Sequence, residues 1–134
     1  MPTTQEAVQI SAIVPILTVD DLQKSIAFYE ALGFAIEERW EANETLLGVM
    51  LRADTIRIGL NQDDWKKGRD RTKGIGVRLS ISTTREQVDE IAKRARNAGI
   101  TLVSEPHDTE EQSRAFEVRD PSGFLLTIFS ETSA

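Results

Sequence analysis

The stretch SAIVPILTVDDLQKSIAFYEALGF, residues 11–34, decides how this chain can fold. Its first half is rich in β-branched residues and predicts a strand, and Pro15 favours an edge position because proline donates no ladder hydrogen bond. Asp20 is the predicted N-cap of a helix, with Gln23 in capping-box spacing. Apolar residues then recur at helical spacing up to Gly33, a typical residue for ending a helix. The stretch therefore predicts a strand followed by an amphipathic helix.

A second copy of this pattern runs from Gly74 to Ile100. Alternating apolar residues predict its strand, Thr83 is the predicted helix N-cap, and Gly99 is the predicted helix end. Strand-like runs follow each helix, including a strand at 101–105, an acidic loop at 106–112 and a hairpin turn at 120–123. The pattern predicts an α+β fold in which two βαβββ modules form a single domain.

The predicted domain covers residues 10–131, with module 1 at about 10–61, a polar linker at 62–73 and module 2 at about 74–131. Each helix can cover only one face of its small sheet. The apolar residues expected on the covered face are Ile56, Ile58, Leu60, Val77, Leu79, Ile81, Leu126 and Ile128. The opposite face is mixed in character, and its apolar members favour a cleft over a plain solvated sheet.

The amino-acid composition limits the classes of protein and of site that are possible for this chain. The chain has 134 residues, of which 40% are hydrophobic and 28% charged, as is typical of soluble globular proteins. It lacks a membrane-length apolar run and a signal-peptide pattern, so we expect a cytoplasmic protein with no membrane partner. A net charge of −6 disfavours nucleic acid as a binding partner. With no cysteine and a single histidine, thiolate sites and sites with several imidazoles are excluded within one chain.

Charged and aromatic residues supply the candidate site. Arg57 and Arg78 are expected to project from the cleft face, with Glu117 as a counter-charge. They either bind an anionic ligand, form an internal Arg–Glu–Arg cluster, or belong to a solvated sheet face. Trp40 and Trp65 are candidates to stack on a flat ligand, although aromatic residues more often anchor a core or a dimer. The full set expected to line the cleft is Val14, Ile16, Trp40, Arg57, Gly59, Trp65, Gly76, Arg78, Glu117, Thr127 and Phe129.

His107 lies among acidic residues in the segment EPHDTEE. This grouping is either a surface metal or acid–base cluster or, as we favour, a solvated acidic loop.

The runs VDDLQKSIAFYEALGF and VRDPSGFLLTIF, together with the repeat, resemble the vicinal oxygen chelate superfamily, which includes glyoxalases, extradiol dioxygenases and bleomycin-resistance proteins. The resemblance covers residues 10–131 and implies paired βαβββ modules that form a U-shaped cleft, often in a homodimer. Metal-dependent members place one ligand on each of four strands. The matching positions here are Val14, Gly59, Gly76 and Thr127, and none of them offers an imidazole or a carboxylate.

We therefore expect a protein without metal or other cofactor that binds a small, antibiotic-like molecule, closest in character to the bleomycin-resistance members. The alternative is an enzyme of the same fold, a lyase or a dioxygenase-like protein, that is metal-free or uses a displaced metal site; Arg78 and Glu117 are then the candidate residues. A third hypothesis is a dimer whose cleft is filled by its own side chains.

Overall fold

A computed structural model describes residues 8–131. The elements follow one another in the order β1 (Ile16–Val19), α1 (Leu22–Leu32), β2 (Ala35–Ala42), β3 (Thr45–Ala53), β4 (Ile56–Gln62), β5 (Arg78–Thr83), α2 (Arg85–Asn97), β6 (Ser104–Asp108), β7 (Arg114–Arg119) and β8 (Leu125–Ser130). The strands form two four-stranded sheets, with orders β1-β4-β3-β2 and β5-β8-β7-β6. The predicted α+β fold of repeated βαβββ units is therefore confirmed.

Each sheet repeats the same pairing. β1 runs parallel to β4 and β5 runs parallel to β8, while the other pairs are antiparallel. β1 lies at the edge of its sheet, as predicted, but it begins only after Pro15, whose carbonyl accepts a 2.9 Å hydrogen bond from the Gly59 N–H. β5 is likewise an edge strand.

Both predicted helix N-caps are wrong by one residue. The α1 cap is Asp21, whose carboxylate accepts a 3.2 Å hydrogen bond from the Lys24 N–H, whereas the carboxylate of Asp20 contacts Lys73. The α2 cap is Thr84, because Thr83 is still paired in β5. The end of α1 is as predicted, since Gly33 has a φ of +117° in the left-handed region.

Two strand predictions in the second module are also wrong. β6 spans 104–108 rather than 101–105, so the predicted acidic loop begins as a strand; a register irregularity between Ser104 and His107 accommodates Pro106, which has no N–H to donate. β5 begins at Arg78 because the glycines before it leave extended geometry. Gly74 has a φ of +83°, and a Cβ there would lie 2.6 Å from the Gly123 carbonyl oxygen.

The apolar faces of both helices and both sheets meet in one core. Tyr29 and Phe116 are its largest fully buried side chains, and Phe28 is buried as well. Of the predicted core residues, Ile58, Leu60, Leu126 and Ile128 are buried, and Ile56, Leu79 and Ile81 are half-buried. Val77 was placed wrongly: it precedes β5 and is 46% exposed. No helix within residues 8–131 has the length and apolar character needed to cross a membrane.

Candidate functional site

A cleft of about 570 Å³ opens where the segment before β1, the start of β4 and the edge strand β5 come together. Its apolar lining comes from both modules: Ile13, Val14, Ile56, Ile58, Leu79 and Ile81. Arg52, Arg57 and Arg78 line the same cleft, and Ser80 is another polar member. We call this space the arginine cleft. It brings together three residues of the predicted set, namely Val14, Arg57 and Arg78.

Two of the three arginines share one carboxylate. Arg52 Nη1 lies 2.8 Å from Glu37 Oε2, and Arg57 Nε lies 3.0 Å from Glu37 Oε1. An Arg–Glu–Arg cluster therefore exists, but its carboxylate is Glu37 instead of Glu117, and its second arginine is Arg52 instead of Arg78.

Sequence reasoning missed both Arg52 and Glu37. Arg52 pairs directly with Arg57 across the β3–β4 hairpin, so the hairpin register was the signal that would have found it. Glu37 lies at a register irregularity between Ile36 and Glu38. At such a position, alternation along the strand no longer predicts on which face of the sheet a side chain lies.

Glu117 lies in a polar row that crosses the second sheet through Ser80, Thr127, Glu117 and Ser104. Thr127 Oγ1 donates a 3.3 Å hydrogen bond to Glu117 Oε2, and the Glu117 N–H donates to Ser104 Oγ at 3.0 Å. The next row places Phe129 opposite Ala115. Glu117, Thr127 and Phe129 thus lie together on the open face of this sheet, beside Ser80 of the arginine cleft.

On the first sheet, Ile16 occupies the space above Gly59. The two residues are direct partners in the β1–β4 ladder, and a Cβ at position 59 would lie 3.1 Å from Ile16 Cγ1. Trp40 lies one row further along, where its Cε3 atom would be 2.7 Å from a Cβ at Gly48. Gly48 therefore provides the room in which the Trp40 ring packs.

Trp65 is held by charged groups of the predicted linker. Its ring lies 4.7 Å from Lys73 Nζ and 5.1 Å from Arg69 Cζ. Lys73 Nζ also contacts Asp20 and lies 2.9 Å from Asp63 Oδ2, and the side chains of Lys73 and Asp63 are both buried. The segment between the modules is thus anchored to the end of β1 through Asp20.

The ionisation of this cluster follows from its contacts. The hydrogen bond from Lys73 and then that from the Trp65 N–H hold the pKa of Asp63 below its ordinary value. Burial opposes the charge of Lys73, but its hydrogen bonds to Asp20 and Asp63 outweigh that effect and raise the pKa of Lys73. The lysine and Asp63 therefore form an ionised pair across the neutral pH range.

His107 and its acidic neighbours are engaged elsewhere. His107 lies exposed on β6, with Nδ1 2.8 Å from the Glu105 carbonyl oxygen. Asp108 pairs with Arg85 at 2.7 Å and with Arg114 at 3.1 Å, and these guanidinium groups hold the pKa of Asp108 below its ordinary value. The nearest acidic side chains, Glu105 and Asp108, thus serve ion pairs between β6, β7 and α2.

The residues at the expected metal positions do not fit a metal ion. Val14 lines the arginine cleft, Gly59 lies under Ile16, and Thr127 donates to Glu117. Gly76 lines a neighbouring pocket of about 760 Å³ beside Arg119. The two modules can also be aligned on their helix N-caps, Asp21 and Thr84. Val14 lies seven residues before the first cap, and the equivalent residue of the second module is Val77, which is also apolar. Within residues 8–131, no three His, Cys, Asp or Glu residues are grouped to hold a metal.

Residues 9–128 match the family model described as the Glyoxalase/Bleomycin resistance protein/Dioxygenase superfamily. Among solved structures, TioX from Micromonospora sp. ML1 is similar with a TM-score of 0.73 and 20% identity, over 90% of this chain and 98% of that one. Lactoylglutathione lyase from Agrobacterium tumefaciens is similar with a TM-score of 0.65 and 19% identity, over 90% and 92%.

A glyoxalase/bleomycin resistance protein/dioxygenase from Alicyclobacillus acidocaldarius has a TM-score of 0.69 and 18% identity, over 92% of each chain. At these identities the structural likeness shows a shared fold. No curated protein matches the chain in sequence. The family model spans nearly all of the described residues, and the repeated βαβββ architecture agrees with it. The chain belongs to the glyoxalase/bleomycin resistance protein/dioxygenase superfamily.

Proposed function

We propose that this protein binds an organic small molecule of antibiotic-like size in the arginine cleft, without a metal ion. The observation that carries the proposal is the cleft itself, a space of about 570 Å³ that combines apolar side chains from both modules with three guanidinium groups. Ligand sites commonly have this volume and this mixture of apolar walls and a few polar groups. The four expected metal positions hold only two glycines, a valine and a threonine. This set supports a ligand that is bound by hydrogen bonds and apolar contacts instead of by a metal ion.

We also propose a cytoplasmic homodimer. Large apolar side chains are exposed at the edge strands of both sheets: Ile13 and Ile16 near β1, and Ile75 and Val77 before β5. Burial of these side chains against a second copy would remove apolar surface from water and stabilise the pair.

The second candidate function is catalysis by a group on the open face of the second sheet. Glu117 favours it, because this carboxylate is half-buried and its side-chain partner is a hydroxyl. A carboxylate in that setting is available as a general base. Turnover of a thiohemiacetal substrate that is lost in Glu117→Gln would support this candidate over simple binding.

Metal dependence can be tested by calorimetric titration of chelator-stripped protein with zinc, nickel, manganese and iron. We expect no stoichiometric binding at micromolar metal. Saturable binding of one ion per chain in that range would contradict the proposal, and His107→Ala would then show whether the histidine is a ligand.

Ligand binding can be tested by a melting screen of neutral, anionic and cationic compounds. A bound compound at 100 times its Kd should stabilise the fold by about 2.7 kcal/mol. Ser80→Trp places a large side chain in the cleft and should abolish the shift. Ser82→Trp is the matched control, because Ser82 is the next exposed residue on the same face of β5 and lies outside the cleft lining. Equal shifts in both variants would show that the compounds bind elsewhere.

A further inference from the structure

The arginine cleft has the opposite charge to the chain as a whole. The chain carries a net charge of −6, yet no aspartate or glutamate is among the residues that line this cleft. The carboxylate of Glu37 contacts Arg52 and Arg57 and balances one of the three guanidinium charges. Two positive charges therefore remain at the cleft, where a cationic ligand would be repelled.

Arg78 is the arginine available to a ligand. Within residues 8–131 it takes part in no ion pair, whereas Arg52 and Arg57 are both paired with Glu37. Arg78 is an exposed residue, the first of β5. A planar guanidinium binds carboxylate and phosphonate oxygens with two parallel hydrogen bonds.

The rest of the lining is suited to an apolar body. Ile56, Leu79 and Ile81 are half-buried at the cleft, and Ile58 is fully buried behind it. Water is displaced from the three half-buried side chains when an alkyl or aromatic group covers them.

We infer that the ligand is an amphipathic oxyanion, a carboxylate or a phosphonate attached to an apolar group, with its anionic end bound to Arg78. This inference rests on the proposed function and deepens it by naming the chemical class of the ligand. Arg57 supplies a second positive charge toward the same anionic end, and the isoleucine side chains contact the apolar group.

The test is calorimetry at low salt with four eight-carbon probes: octanoate, octylphosphonate, octanol and octylamine. We expect both anions to bind about tenfold or more tightly than octylamine, since a charge-assisted hydrogen bond contributes that much. Arg78→Ala should weaken octanoate binding by about tenfold or more, and Arg57→Ala by a smaller factor. Tighter binding of octylphosphonate than of octanoate would support the oxyanion assignment and identify the phosphonate head group as preferred.

Two control variants locate the site. Arg119→Ala changes the neighbouring pocket, which shares Arg78 but not Arg57, and Arg39→Ala removes an exposed arginine of β2 outside both linings. We expect both variants to bind octanoate within about twofold of the wild type. A loss of affinity in Arg119→Ala with none in Arg57→Ala would overturn the assignment to the arginine cleft.

The outcomes also separate this inference from the proposed function. If octylamine binds at least as tightly as octanoate and Ser80→Trp abolishes that binding, the cleft is a ligand site but the oxyanion assignment is wrong. If none of the probes and no compound of the melting screen binds in a manner that is sensitive to Ser80→Trp, the proposed function itself is wrong.

Discussion

The hydroxyl of Tyr29 in α1 donates a 2.9 Å hydrogen bond to Asp120 Oδ2 in the turn before β8, which joins the two modules inside the core. The other oxygen of Asp120 accepts hydrogen bonds from the N–H groups of Ser122, Gly123 and Phe124 at 2.9–3.0 Å. Burial raises the pKa of Asp120 despite these donors, and burial raises the pKa of Tyr29 as well. One carboxylate thus orders the hairpin turn and holds the first helix.

We expect Tyr29→Phe to lower the free energy of unfolding by about 1–3 kcal/mol, because a buried carboxylate oxygen loses its donor. The matched control is Ser25→Ala. Ser25 is another fully buried hydroxyl of α1, and its Oγ has no hydrogen-bond partner among the described residues, so its removal should cost less than about 1 kcal/mol. Urea denaturation measures both. If Tyr29→Phe and Ser25→Ala lower the free energy of unfolding equally, the hydrogen bond between Tyr29 and Asp120 contributes no more to stability than the packing of a buried hydroxyl.

The buried pair of Lys73 and Asp63 should make stability depend on pH below the ordinary aspartate pKa of 3.8. Since the pKa of Asp63 is lowered in the folded state, its contribution is complete above pH 3.8 and is lost as the pH falls through the folded pKa. We expect Lys73→Met to be less stable than the wild type at pH 6, with a difference that shrinks below pH 3.8.

Lys66→Met is the control for this prediction, because Lys66 belongs to the same segment and its 4.0 Å contact with Asp64 is exposed. Urea denaturation at several pH values should show no change in its stability difference. A Lys73→Met difference that is constant between pH 6 and pH 3 would contradict the ionic role of the pair.

The two glycines on the open face of the first sheet should respond differently to alanine. At Gly48 a Cβ would lie 2.6 Å from Asn61 Oδ1 and 2.7 Å from the Leu60 carbonyl oxygen, so we expect Gly48→Ala to cost about 1–3 kcal/mol. At Gly59 the nearest atom is Ile16 Cγ1 at 3.1 Å, on a side chain that is 54% exposed and free to shift. Gly59→Ala should therefore lower the free energy of unfolding by less than Gly48→Ala. Thermal denaturation of both variants measures the difference. A larger loss in Gly59→Ala would mean that the backbone near Gly48 moves more easily than the Ile16 side chain.

Removal of the Glu37 charge should strengthen binding of an anion. Glu37→Gln leaves the three cleft arginines without a counter-charge, and we expect the Kd for octanoate to fall by about threefold, as a charge some 6 Å away predicts in water. Glu38→Gln makes the same change in net charge at a neighbouring exposed residue and should have a smaller effect. A weaker affinity in Glu37→Gln would mean that Glu37 serves mainly to orient Arg52 and Arg57.

Much of the architecture could be predicted from local patterns. Helical apolar spacing, the Gly33 stop and the Asp120–Gly123 turn depend on a few neighbouring residues, and all three are present in the structure. The helix caps were missed by one residue because two candidate cap residues stand side by side, Asp20 with Asp21 and Thr83 with Thr84. The choice between them depends on where the strand pairing with β4 or β8 ends.

The candidate site was predicted only in part. Alternation along β4 identified Arg57, and Arg78 was identified from the second-module strand, but the carboxylate that pairs with Arg57 comes from another strand. Glu37 reaches Arg57 because β3 brings β2 and β4 together and an irregularity in β2 places its carboxylate beside both arginines. The roles of Trp40, Trp65 and Phe129 toward a ligand remain predictions; the structure shows Trp40 against Gly48 and Trp65 close to two cations.

The sequence by itself determined the repeated βαβββ fold and the absence of ligating side chains at the expected metal positions, because periodicity, turn residues and residue identity are local properties. The tertiary structure alone decided that Glu37 is the counter-charge, that Ile16 covers Gly59, and that three arginines share one apolar cleft. These relationships join residues from separate strands, and their distances are set by strand register and by the packing of both modules on one core.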